Sequence, residues 1–241
     1  SAFRSRRVIV QARIVKLAGK GLGGARAHLR YVQRDGVTRE GEPGSLYDRG
    51  NDRADGKSFI ERAEGDRHQF RFIVSPEDGD KYQDLKPFVR RLMDRMEKDL
   101  DTRLDWVAAD HYNTGHPHTH IIVRGKDDRS HDLIIAREYI AHGMRERAAE
   151  IVSLDLGPRS DFEVQSALRN AMEQERFTSI DRDLLRQTDT DGLVTASSRD
   201  AFRQTLRAGR LQKLQRLGLA EEIEPGCFRL SSVLRDTLQR L

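Results

Sequence analysis

The chain has 241 residues and a net charge of +4, with 34% charged and 37% hydrophobic residues. That length can hold one large domain, or a medium and a small one with separate cores. No apolar run approaches the ~18 residues of a membrane-spanning helix, and the single cysteine, Cys227, excludes an internal disulfide. We therefore expect a cytoplasmic protein without membrane insertion.

Alternating and helical patterns predict the elements of the first 155 residues or so. A strand is expected over residues 7–16, then a glycine-rich link, a short helix over residues 25–34 and mostly loop over residues 36–65. The later elements are strands at residues 68–74, 104–110, 119–124 and 133–135, and helices at residues 85–100, 139–153 and 162–175. This order predicts an α+β fold, a central antiparallel sheet with helices packed on one face.

The last part of the chain predicts a small second domain. Residues 198–206 and 210–217 each favour a helix, with a turn between them, and residues 220–230 favour a hairpin before a closing helix. This is the order of a winged helix, in which Lys213 and Arg216 would face a major groove. Winged helices also serve as protein-docking modules. We expect a first domain at residues 1–160, a connecting helix and linker at residues 161–180, and a winged-helix-like DNA-binding domain at residues 181–241.

Basic residues are concentrated in two segments. Residues 1–46 contain ten basic and three acidic side chains, and residues 201–219 contain five basic side chains and no acid. One basic run is often only a solvated face, but two are typical of proteins that bind nucleic acid phosphates. The predicted DNA-binding side chains are Arg7, Arg13, Arg30, Arg34, Arg207, Arg210, Lys213 and Arg216.

Four of the eight histidines lie between residues 110 and 120, just before an apolar run. His118 and His120 are two residues apart, so on a strand both imidazoles point to the same face. His111 ends the preceding apolar run and can add a third nitrogen if the two strands pair. Three neutral imidazoles leave coordination positions open, as catalytic metal sites do. A solvated, inert loop is the alternative.

Tyr31 is a candidate nucleophile for phosphorus. It lies between arginines in the predicted helix at residues 25–34, outside the apolar pattern, and could form a covalent ester. A protonated phenol is a weak nucleophile, so it needs a proton acceptor, for which Asp110, Glu77 and His68 are candidates. Amphipathic packing is the ordinary explanation of a tyrosine on a short helix, and residue type alone favours it.

Three blocks in this order resemble a known family. The helix that carries Tyr31, the segment at residues 72–78 and the histidine cluster ahead of an apolar strand resemble the P-type mobilisation relaxases of the HUH endonuclease superfamily. The resemblance is densest over residues 7–160 and weak beyond. Relaxases of this layout are commonly longer, which favours an N-terminal fragment.

The resemblance implies site- and strand-specific nicking and rejoining of single-stranded DNA at a plasmid or mobile-element transfer origin, which initiates conjugation through a 5′-phosphotyrosyl intermediate. It assigns the nucleophile to Tyr31, the metal ligands to His111, His118 and His120, and a DNA-contacting serine to Ser75. His116 is an additional histidine, which leaves open which three of the four bind the metal.

The resemblance also implies one divalent metal ion and several partners. Mg²⁺ and Mn²⁺ often support phosphoryl transfer, whereas imidazole ligands suit Zn²⁺ and Ni²⁺. The partners are single-stranded DNA at the transfer origin, the flanking duplex, accessory relaxosome proteins and a type IV secretion coupling protein. Three other functions stay open: a rolling-circle replication initiator of the same superfamily, a metal-dependent hydrolase that uses water, and a winged-helix regulator that binds DNA without cleaving it.

Overall fold

The computed structural model describes residues 5–112 and 115–240. Asn113 and Thr114, in the histidine loop, lie outside the described residues. The chain divides into two compact units, Ser1–Pro158 and Arg159–Leu241. Within the described ranges, no helix has both the length and the apolar composition needed to cross a membrane.

The first unit is built on a four-stranded antiparallel sheet. Its strands are β1 (Val8–Lys16), β2 (His68–Pro76), β3 (Trp106–His111) and β4 (His118–Arg124), in the order β1-β2-β4-β3. β4, which carries two of the candidate metal ligands, is an interior strand. The basic first strand does not pair with β4, because β2 lies between them.

Helices cover both faces of this sheet, which corrects the expectation of one covered face. Helices α3 (Lys86–Leu100) and α4 (Met144–Leu156) pack on the face with Trp106 and Ala108, while α1 (Gly23–Asp35) and α2 (Gly56–Arg62) pack on the face with Val107 and Ala109. Every residue of β3 is buried. A strand that is apolar on both faces needs cover on both.

One other local expectation is incomplete and one is wrong. The predicted loop at residues 36–65 contains α2, whose first turn is capped by Asp55, since its carboxylate accepts hydrogen bonds from the backbone of Lys57 and Ser58. The segment at residues 133–135 is not a ladder strand. Leu133 donates a single backbone hydrogen bond to Gly125 (2.8 Å) and buries its side chain in the core.

Between residues 159 and 240, the second unit has four helices and a small sheet. In chain order these are α5 (Asp161–Glu173), α6 (Ser179–Gln187), β5 (Leu193–Thr195), α7 (Ala201–Arg216), β6 (Ala220–Glu224), β7 (Cys227–Leu230) and α8 (Leu234–Arg240). The predicted hairpin is present as β6 and β7, and β5 extends it to three strands. The segment at residues 161–180, expected to be a connector, belongs to this unit.

The predicted turn between two helices at residues 207–209 does not exist, because α7 is continuous. Gly209 lies in its middle, where a Cβ atom would collide with the Met172 Sδ atom on α5. The glycine therefore permits close packing of α7 on α5 and does not end a helix. The helix-turn-helix expected at residues 198–217 is absent.

Four of the five basic residues of α7 are paired with acids inside the unit. Arg210 is fully buried and Arg207 nearly so, which corrects the expectation that these two side chains contact DNA. A buried arginine needs a carboxylate and further acceptors, and Arg210 also donates to the carbonyl oxygens of Met172 (3.1 Å) and Arg176 (3.0 Å). The pairs are Arg207–Asp183, Arg210–Asp181, Lys213–Glu175 and Arg216–Glu173.

Candidate metal centre and nuclease site

The pairing of β3 with β4 brings three histidines together. His111 lies directly opposite His118, and His120 shares their face two residues further along β4. The ring centroids are 4.5 Å apart for His111 and His120, and 5.2 Å apart for each of the other two pairs. One nitrogen from each ring lies within 4.8 Å of the others. We call this side of the sheet the histidine face.

Backbone carbonyls orient two of these rings. The Nε2 atom of His111 donates to the carbonyl oxygen of Val32 (3.1 Å), and the Nδ1 atom of His118 donates to that of His116 (3.0 Å). A carbonyl only accepts, so these nitrogens carry the protons, and the neutral rings have their lone pairs on Nδ1 of His111 and Nε2 of His118. Such outer hydrogen bonds commonly orient histidine ligands.

The donor set fits a divalent transition metal. Three imidazole nitrogens, with no carboxylate among them, match the preferences of Zn²⁺ and Ni²⁺ better than those of the oxygen-seeking Mg²⁺ and Mn²⁺. His111 is buried, whereas His118 and His120 are partly exposed, so the centre faces solvent on one side. His116 is outside the group and exposed.

Ser75 lies on the histidine face of β2. Ile73 is directly opposite His120 in the neighbouring strand, so Ser75, two residues further on, points the same way. Its hydroxyl donates to the carbonyl oxygen of Pro117 (3.2 Å), just before β4. The serine is thus next to the chain segment that leads into His118.

Asp110 and His68 lie on the opposite face from the histidines. Asp110 is buried and accepts hydrogen bonds from the hydroxyls of Tyr47 (2.7 Å) and Thr119 (2.6 Å). Burial raises the pKa of its carboxyl. His68 contacts the Leu133 carbonyl oxygen (2.9 Å) and the Phe70 ring. The structure therefore does not bring these two candidate bases to the histidine face. Glu77 is exposed just beyond β2.

Helix α1, which carries Tyr31, contacts the metal centre through its backbone. The helix buries Leu29 and Val32 towards the sheet, and the carbonyl of Val32 is the one that His111 contacts. Tyr31 immediately precedes Val32 in this helix, and its side chain is 49% exposed. The Arg34 guanidinium lies 5.9 Å from the centroid of its ring. The tyrosine is accessible, as a nucleophile must be.

His28 is a site residue that the sequence reasoning missed. Its ring stacks with that of Tyr31, one helical turn away, at a centroid distance of 6.3 Å. Burial lowers its pKa to about 4, with further lowering by Arg71 and Arg13. The His28-x-x-Tyr31 spacing, which puts two side chains on one helical face, was the available signal.

The four predicted DNA-binding arginines of the first unit are all accessible, whereas a neighbouring arginine is not. Arg7, Arg13, Arg30 and Arg34 are all exposed. Arg6, beside them in the sequence, is buried, where it donates to the carbonyl oxygen of Gly157 (2.9 Å) and pairs with Asp78 (3.1 Å). Arg6 is therefore a structural residue of this unit.

A histidine-only centre that is open to solvent on an antiparallel sheet is suited to bind and polarise the oxygens of a phosphodiester, as nuclease metal sites do. Residues 49–152 match the family model described as "Relaxase: MobA/VirD2-like, nuclease domain". This match supports the resemblance to the relaxases of the HUH endonuclease superfamily that the sequence motifs indicated. The match contains Ser75 and the three histidines and begins after Tyr31. No curated protein matches the sequence at a significant level.

Proposed function

We propose that this chain nicks and rejoins one strand of DNA at the transfer origin of a plasmid or mobile element, with Tyr31 as nucleophile. The observation that carries the proposal is the hydrogen bond from His111 to Val32, 3.1 Å long, which joins the nucleophile helix to the metal centre. The match to a relaxase nuclease domain supports the nuclease activity, and the accessible tyrosine on the helix that contacts His111 supports the covalent chemistry.

The reaction is a transesterification. The Tyr31 Oη atom attacks the scissile phosphorus and loses its proton, an O–P bond forms, and the bond from phosphorus to the 3′ oxygen breaks. The products are a 5′-phosphotyrosyl strand and a 3′-hydroxyl, which takes up a proton. A divalent ion held by His111, His118 and His120 would stabilise negative charge on the phosphate oxygens. Attack by a 3′-hydroxyl reverses the step, so rejoining needs no ATP.

The surroundings of Tyr47 and Tyr112, two of the four other tyrosines, favour a single nucleophile. Tyr47 is fully buried and donates its hydroxyl hydrogen bond to Asp110. Tyr112 accepts a hydrogen bond from the Leu85 backbone (3.1 Å) and has a raised pKa because of its burial. Neither is suited to a second transfer step, which supports one transfer per round.

The DNA contacts are proposed for the first unit. Ser75 would exchange its bond to Pro117 for a phosphate near the nick, and Arg7, Arg13, Arg30 and Arg34 would contact the single strand. Flanking duplex, accessory relaxosome proteins and a type IV secretion coupling protein are the proposed partners, in the cytoplasm. A rolling-circle initiator would use the same chemistry at a replication origin.

The test is covalent capture of DNA. Single-stranded oligonucleotides with a randomised centre carry different dyes at their 5′ and 3′ ends and are incubated with the protein and Mn²⁺. On a denaturing gel, the 3′ dye should shift to a protein-linked band that EDTA suppresses and Tyr31→Phe abolishes. Sequencing the captured strands gives the nick site.

The matched control is Tyr139→Phe, at a partly buried tyrosine whose hydroxyl donates a hydrogen bond to Asp99; this variant should retain the band. Free cleavage that survives Tyr31→Phe would identify a hydrolase that uses water. Absence of cleavage together with tight duplex binding would favour the non-cleaving regulator.

A further inference from the structure

Two arginines lie side by side on the histidine face. Arg13 on β1 and Arg71 on β2 are direct partners in the strand register. Arg71 is two residues before Ile73, which is opposite His120, so all of these side chains share one face. Like charges directly opposite each other destabilise a sheet. We call Arg13 and Arg71 the basic pair.

No acid neutralises the basic pair in the described part of the chain. By contrast, Arg62, Arg91 and Arg124 each contact a carboxylate. The contact of Arg71 is with a neutral group: its Nε atom donates to Gln69 Oε1 (3.0 Å). Gln69 is buried, and its amide nitrogen has no hydrogen-bond partner among the described residues. The guanidinium of Arg71 is therefore held in place while its charge stays uncompensated.

Helix α1 connects the basic pair to Tyr31. His28 is close enough to both arginines that they help to keep its ring neutral, and the ring stacks on Tyr31. Beside the pair, the floor of this face is open, because Gln11 is exposed and Ile9 is 53% exposed. This accessible surface therefore carries the basic pair, the neutral ring of His28 and the candidate nucleophile Tyr31.

We propose that Arg13, Arg71 and His28 form a subsite that holds one backbone phosphate of the DNA strand, next to the phosphate attacked by Tyr31. This deepens the proposed function and rests on it for the identity of the anion. Guanidinium groups bind phosphate oxygens through paired hydrogen bonds. A bound phosphate offsets the electrostatic repulsion between Arg13 and Arg71. The relief of this repulsion favours binding of an anion at the subsite.

The test measures DNA binding against salt, without metal or nicking. The affinity of a fluorescein-labelled oligothymidylate is measured by anisotropy in EDTA over a range of NaCl concentrations. For Arg13→Gln with Arg71→Gln, the slope of log affinity against log salt should fall in magnitude by about 0.7, the value for one single-strand phosphate. The matched control, Arg129→Gln with Arg137→Gln, removes the same charge from exposed positions and should keep the wild-type slope.

A second readout separates binding from structural damage. Without DNA, the Arg13→Gln and Arg71→Gln variant should melt at the wild-type temperature or about 1–3 °C higher, since a repulsive pair is gone. An unchanged salt slope, or a reduced slope with a lower melting temperature, would overturn the subsite. This assay needs no cleavage, so it tests the subsite independently of the nuclease reaction. An unchanged salt slope would not contradict adduct formation by Tyr31, and absence of the adduct would not contradict a reduced salt slope.

Discussion

His111 donates a hydrogen bond from Nε2 to the carbonyl oxygen of Val32, 3.1 Å away, and so ties the edge strand of the sheet to helix α1. This contact has two consequences. It sets the tautomer of His111, leaving the Nδ1 lone pair for a metal. It also sets the position of α1, and with it the exposed Tyr31, relative to the histidines.

Metal affinity should depend on His111, His118 and His120 and not on His116, the other histidine of this segment. Alanine at His111, His118 or His120 removes one of three nitrogens and should weaken binding of Mn²⁺ or Zn²⁺ by about a hundredfold or more, beyond the 10–100-fold typical of outer-shell changes. Isothermal titration calorimetry on the metal-free protein measures this. His116→Ala is the control, and a comparable loss in that variant would contradict the assignment.

Asp110 should prove structural. Asp110→Ala leaves the buried hydroxyls of Tyr47 and Thr119 without their acceptor, which should lower the free energy of unfolding by about 1–3 kcal/mol. Asp110→Asn keeps an acceptor oxygen and should form the covalent adduct at near wild-type yield. Urea denaturation and the adduct gel check the two effects. A well-folded Asp110→Asn protein that fails to form the adduct would restore the aspartate as a catalytic candidate.

The first unit should lose stability as pH falls from 6.5 towards 4. The pKa of His28 drops from 6.5 to about 4, through burial first and then Arg71 and Arg13. The unfolded chain therefore takes up a proton in this window before the folded protein does, and stability falls with pH. Thermal melts at pH 7 and pH 4.5 should show a smaller decrease for His28→Asn than for wild type. Identical decreases would mean that other groups dominate.

Gly209→Ala should destabilise the second unit, although alanine is the better helix former by about 1 kcal/mol. The added methyl collides with Met172 Sδ, and overpacking of this kind costs about 1–3 kcal/mol. Met172→Ala removes the obstacle, so the double variant should recover stability relative to the sum of the single changes. Denaturant titration of all four proteins gives the coupling energy, and strict additivity would contradict the close approach.

The buried ion pair Arg210–Asp181 should contribute far more to the free energy of unfolding than the exposed pair Arg216–Glu173. Arg210→Ala leaves the carboxylate of Asp181 uncompensated in the core and should cost about 3–5 kcal/mol. The matched change, Arg216→Ala, breaks an exposed contact with Glu173 and should cost less than about 1 kcal/mol. Thermal unfolding distinguishes them. Equal effects would show that Arg210 is not held as described.

Much of the site could be predicted because its signals are local. The spacing of His118 and His120 places both on one face of any strand, and the strand pair on either side of the histidine loop is confirmed. The same alternation puts Asp110 on the opposite face from His111. The sequence alone therefore predicts that Asp110 does not face the metal centre as a proton acceptor. Helix α2 was missed although Asp55 offered a capping signal.

The sequence by itself determined the four strands of the first sheet, most helices and the histidine face, because those depend on periodicity within a few residues. Only the tertiary structure decided which arginines are available for DNA. Arg13 and Arg210 look alike in two basic runs, yet one lies exposed opposite Arg71 and the other is fully buried against Asp181. The charge of a side chain is local, but its neutralisation depends on partners that are distant in sequence and brought near only by folding.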